Sequence, residues 1–65
     1  MLKMTAIKKG DSVKVRMLGK DYFGIVIAKK PFNGVMMYDV RTDGDYVMQS
    51  LFRTQLTIIE LGQDE

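Results

Sequence analysis

The sequence predicts an all-β domain, five short strands forming a small barrel with one short helical turn before the last strand. Three observations carry that expectation. Apolar and polar side chains alternate along several short stretches, the period of a strand with one face on a core. Two dipeptides that favour tight reversals, Asn33-Gly34 and Asp43-Gly44, separate such stretches. Helical periodicity extends over no window of several turns, and closing short strands into a barrel removes their exposed edges.

Taken in order, residues 11–17 form the first expected strand, with Val13, Val15 and Met17 on one face and Lys14 and Arg16 on the other. Gly10-Asp11 before it is a turn signal. Residues 18–22 read as a loop. Residues 23–28 are apolar nearly throughout, so the second strand is expected to be covered on both faces, with Gly24 at a bend. Pro31 is expected to end its ladder, and Asn33-Gly34 to reverse the chain in a type I′ turn. Residues 35–41 alternate again, placing Met36, Tyr38 and Val40 inward and Met37, Asp39 and Arg41 outward. Asp43-Gly44 supplies a second type I′ signal into a fourth strand at residues 45–49. Residues 50–55 fit one short helical turn, and residues 56–61 are β-branched enough to prefer a final strand.

With 65 residues the chain holds one domain. The expected division is an N-terminal segment at 1–7, the barrel at 8–61 and a tail at 62–65, with residues 1–5 and 62–65 as candidates for fraying. A core this small supplies only about 3–5 kcal/mol, and oligomerisation is the remaining prop, because the chain has no cysteine and no histidine. Those absences exclude disulfides, thiolate nucleophiles, histidine bases and zinc knuckles. Asp43-Gly44-Asp45 lacks the twelve-residue loop of an EF-hand, and the six glycines stand singly rather than in a phosphate-cradling loop. No enzyme activity, cofactor or metal is expected. Signal-peptide and membrane-spanning runs are missing, so the expected location is cytoplasmic with no membrane partner.

Charge is distributed unevenly along the chain. Residues 1–32 hold eight Lys or Arg against two Asp, and residues 33–65 hold two Arg against six acids, so the halves carry +6 and −4. A basic first half points to an anionic partner.

Over residues 8–60 the chain resembles the SH3-like small barrels, including the KOW and Tudor branches. The matching pieces are "KKGDSVKVR", "YFGIVIA" with its internal glycine, "YDVR", "YVMQ" and "FRTQLTIIE". The resemblance implies a binding module: KOW domains engage RNA or proteins of transcription and translation, and Tudor domains hold methylated side chains in aromatic cages. The cage candidates are Tyr22, Phe23, Tyr38 and Tyr46, but Phe23 and Tyr38 are expected in the core, which leaves too few rings. Plasmid-type dihydrofolate reductases look similar in "KKGDSVKVR". Their Val-Gln-Ile-Tyr active-site segment is replaced here by Met48-Gln49-Ser50-Leu51, so only Gln49 matches.

The functional expectation is a non-enzymatic module that binds RNA or DNA. Lys14, Arg16, Lys20, Lys29 and Lys30 would neutralise phosphates, beside Lys8 and Lys9, with Tyr22 and Phe32 stacking on bases. The alternative is a protein partner or self-association through Met37, Leu51 and Phe52, the lysines serving only solubility. Met17, Met36 and Met48 are expected to fill core gaps.

Overall fold

A computed structural model describes residues 6–62 and shows five antiparallel strands in one sheet with a single 3₁₀ turn. The strands are β1 (Ser12–Met17), β2 (Lys20–Phe32), β3 (Val35–Arg41), β4 (Val47–Phe52) and β5 (Leu56–Glu60), and the 3₁₀ turn is Arg53–Gln55. Spatial order is β4-β3-β2-β1-β5, so the two edge strands are consecutive in the chain. Three residues of 3₁₀ helix advance only about 6 Å. In a flat sheet, strands four places apart would lie about 19 Å from each other. The sheet therefore curls, and Gln55 holds the turn in place by accepting from the Phe52 amide at 3.0 Å and donating to the Arg16 carbonyl at 3.3 Å.

Inside the curl lie Val13, Val15, Val26, Tyr38, Val40, Met48, Leu51 and Leu56, joined by Ile7 from the segment before β1, with Met17, Tyr22 and Ile58 packed at the margin. Ile7 and Gly62 thus belong to the packed unit, which reaches past both ends of residues 8–61. The fraying expected at residues 1–5 and 63–65 lies outside the described residues; Gly62 itself is held. No helix among the described residues is long and apolar enough to cross a membrane.

Several expectations are corrected. Residues 18–22 are not a loop: Met17 pairs with Lys20, and Leu18 and Gly19, both at positive φ (52° and 77°), make a two-residue turn of type I′ character. Asp43-Gly44 is not a type I′ turn, because only Gly44 has positive φ; residues 42–46 form a longer connection, and β4 begins at Val47 rather than residue 45. Pro31 does not end β2, which runs on to Phe32 with Pro31 opposite Met36. The pairing of β1 with β2 stops at Ile25, so this end of β2 has an unpaired side where a missing N–H costs nothing. The Asn33-Gly34 turn, at φ 50° and 80°, is as expected.

The second strand is not covered on both faces. Phe23 and Ile25 are exposed, because the single sheet has its core on the concave side only. In β3, Met37 and Asp39 are buried although they face away from the core, and Met36 is exposed. Residues of β2 and β4 lie beside them: Lys30 and Phe52 flank Met37, and the extra residue of a β4 bulge at Gln49-Ser50 faces Asp39. Asp39 is compensated there, accepting from the Ser50 amide at 2.9 Å and from Lys30 Nζ at 3.1 Å.

Asp11 ties the two ends of the unit together. Its fully buried carboxylate accepts from the Lys8 amide at 2.9 Å and the Gly62 amide at 2.7 Å, with Lys8 Nζ at 3.7 Å. Its backbone joins β2 through Val26 N–H to the Asp11 carbonyl at 3.0 Å. Burial pushes the Asp11 carboxyl up, but the Gly62 and Lys8 amides and the Lys8 ammonium outweigh it, and the net position is below the ordinary aspartate value. A carboxyl lowered on folding stabilises fully above its unfolded value, about 3.9, and loses that contribution as pH falls through the folded one.

Asp11→Ala strands two buried amides and is expected to cost about 3 kcal/mol in urea unfolding, comparable with the whole stability of so small a core. Wild-type stability should also fall as pH drops from about 5 towards 3, and a flat profile over that window would contradict the assignment. Gly24→Ala should prevent stable folding, since a Cβ there collides with the Arg41 carbonyl oxygen and comes within 2.8 Å of Val40 Cγ1; circular dichroism reads the outcome.

Candidate ligand face and turn cavity

The Leu18-Gly19 turn sets the register of β1 against β2, and that register decides which side chains share the convex face. Lys14 stands opposite Phe23 on one side and Thr57 on the other. The next row runs Glu60, Ser12, Ile25, Arg41, Val47 across all five strands. Phe23 is 57% exposed, Ile25 and Arg41 are open to solvent, and Arg16 follows Lys14 along the strand with its guanidinium 3.7 Å from Asp21. An exposed ring thus lies among three cations on a sheet surface.

Phe23 also forms one wall of a cavity of about 340 Å³, lined by Asp21, Tyr22, Phe23, Thr42, Asp43 and Tyr46. Asp21 to Phe23 come from β2 just past its first turn, and the other three come from the connection between β3 and β4. That connection is stapled by the Thr42 amide donating to the Tyr46 carbonyl at 2.9 Å and the Tyr46 amide donating to the Asp43 carbonyl at 3.4 Å. No protein-family model matches the chain, and neither a curated protein nor a solved structure does.

The expected basic set is divided. Lys14, Arg16 and Lys20 lie on β1 and at the start of β2, but Lys29 and Lys30 are adjacent residues of a strand and point to opposite faces. Lys29 Nζ donates to the Ile7 carbonyl at 3.0 Å, and Lys30 is engaged by Asp39. Tyr22 is half-buried against the core, with one side on the cavity. Phe32 is exposed beside the far hairpin, where it lines a separate cavity of about 380 Å³ with Lys30, Pro31, Met37 and Ser50.

Of the three residues expected to contact protein, Met37 and Leu51 are buried and Phe52 is exposed. Leu51 points to the core as the partner of Tyr38. Of the four cage candidates, Tyr38 is in the core as expected, whereas Phe23 is not, and it meets Tyr22 and Tyr46 at the cavity. Phe23, Ile25 and Arg41 were not placed together by sequence reasoning. The signal that finds them is a two-residue Leu18-Gly19 turn, which pairs Lys14 with Phe23 on the polar face.

If Phe23 belongs to a surface, Phe23→Ser should change stability by no more than about 1 kcal/mol, while Leu51→Ala in the core costs about 2–4 kcal/mol. Parallel urea titrations of the two variants check this, and equal losses would return Phe23 to the core.

Proposed function

We propose that this chain is a non-enzymatic SH3-like barrel module that docks single-stranded nucleic acid, RNA or DNA, on the convex face of β1 and β2. The observation that carries the reading is exposed Phe23 paired across the strands with Lys14 and flanked by Arg16 and Arg41. A single strand needs a ring on which a base can stack and cations that track its backbone, and this surface offers both within three neighbouring rows of one sheet. Lys20, paired with Met17 at the adjoining turn, stands on the other face of β2. The SH3-like assignment is supported by four strands in a meander and a fifth that returns to β1 through a 3₁₀ turn. Lys29 points to the other face of β2, and Lys30 and Phe32 lie at the far end of the convex side, away from this patch.

A second reading, contact with a protein or another copy, is favoured by the opposite end of the convex face. Phe32 pairs with Val35 and Met37 with Phe52, and Phe32, Val35 and Phe52 are exposed there.

Fluorescence anisotropy with labelled oligonucleotides distinguishes the two. Single strands should bind with an affinity that falls with salt at a log-log slope of about −2, given roughly 0.7 per phosphate contact, and Lys14→Glu with Arg41→Glu should weaken binding at least ten-fold. A lack of binding at low salt, with an oligomer whose mass by light scattering is indifferent to salt, would overturn the nucleic-acid reading and support the second.

A further inference from the structure

The cavity between the turns carries more information than the cationic face beside it. Its interior offers aromatic walls from Tyr22, Phe23 and Tyr46 together with two carboxylates, Asp21 and Asp43. Three cations and a third carboxylate, Asp45 in the same connection, stand around it. Arg16 reaches Asp21 at 3.7 Å, Lys20 precedes Asp21 in the chain, and Arg41 precedes Thr42. Asp21 is therefore already compensated, whereas among the described residues no ion pair engages Asp43.

A ligand matched to this arrangement has a flat ring for the aromatic walls, N–H donors for a carboxylate and an anionic group for the rim cations. A simple organic cation satisfies the walls and the carboxylates but meets Arg16, Lys20 and Arg41 as like charges. A nucleotide satisfies all three. Among the bases, only guanine presents two adjacent N–H donors, N1–H and the 2-amino group, on its Watson–Crick edge, matching the two oxygens of one carboxylate. Adenine and cytosine place a ring acceptor beside the amino group on that edge, and uracil and thymine place carbonyls on both sides of their N–H; each opposes a lone pair to a carboxylate oxygen.

We infer that the cavity lined by Tyr22, Phe23, Thr42, Asp43 and Tyr46 takes one unpaired guanine, stacked on the aromatic walls with its N1–H and 2-amino group donating to the Asp43 carboxylate. This rests on the nucleic-acid reading above and adds base selection to it. The phosphates flanking that guanine lie towards Arg16 and Arg41, and the same chemistry would accept a free guanine nucleotide.

The test compares anisotropy of a labelled oligothymidine with that of the same strand carrying isolated guanines, spaced so that no quadruplex forms, for the wild type, Asp43→Asn and the control Asp45→Asn. The wild type should prefer the guanine strand about ten-fold or more. Asp43→Asn should abolish that preference while leaving oligothymidine affinity within about two-fold, and Asp45→Asn should keep it. Replacing guanine by hypoxanthine, which lacks the 2-amino group, should remove most of the gain. Competition by guanosine monophosphate at the affinity of the strand would identify the free nucleotide as the ligand, and failure to compete would identify the strand. Salt-sensitive binding with no preference for guanine, or a preference that survives in Asp43→Asn, would overturn the inference and leave the broader reading standing. Absence of binding to either strand at low salt would overturn both, and saturable binding of tetramethylammonium there would assign the cavity to an organic cation.

Discussion

A buried carboxylate closes this fold. Asp11 is fully enclosed, yet it holds the amide of Lys8 on one side and that of Gly62 on the other, so the segments before β1 and after β5 meet at one side chain. The closeness of that meeting explains Gly62, where a Cβ would run into the Gly10 carbonyl. Enclosing a charge is expensive unless hydrogen bonds replace its water, and here two amides and an ammonium do so. The consequence is Ile7, which the tied segment carries into the core. Once both ends are fastened and three residues bridge β4 to β5, the sheet has one concave side for its apolar residues.

Among the described residues no second layer covers the convex side. It divides along its length. Near the Leu18-Gly19 turn it carries Lys14, Arg16, Phe23, Ile25 and Arg41, and near the Asn33-Gly34 turn it carries Phe32, Val35 and Phe52. Between them Asp39 and Lys30 form a part-buried pair that also fixes the β4 bulge through Ser50. Charged surface lysines are thus not equivalent. Lys30 pairs with Asp39 within the convex face, Lys29 covers the core by holding the Ile7 carbonyl, and Lys14, Arg16 and Arg41 are arranged around the exposed Phe23.

Much of the fold was legible in the alternation of Val13, Val15, Tyr38 and Val40, which depends on backbone geometry alone and survives in the structure. The Asn33-Gly34 turn was legible because both residues favour positive φ; the same signal misled at Asp43-Gly44, where only Gly44 adopts it, and the first turn was illegible because an unfavoured residue, Leu18, adopts φ 52°. That single turn mattered most for the site. Reading it as a long loop released the register of β2, so Phe23 and Ile25 seemed to belong to a doubly covered strand rather than to the partner rows of Lys14 and Ser12. Met37 and Asp39 misled for another reason: alternation assigns a face correctly but does not say whether neighbouring strands will cover it. Lys29 and Lys30, adjacent in the sequence, do not share a face, because consecutive strand residues point apart.

The claim on which the functional account turns is that ligand contact is confined to one end of the convex face. Amide and side-chain chemical shifts of the isotopically labelled protein, followed while a short single-stranded oligonucleotide is added at low salt, test it most directly. The account predicts shifts clustered on Lys14, Arg16, Phe23, Ile25 and Arg41 and at the 42–46 connection, with Phe32, Val35 and Phe52 unchanged. Shifts centred on Phe32 and Phe52, or none at all, would contradict it.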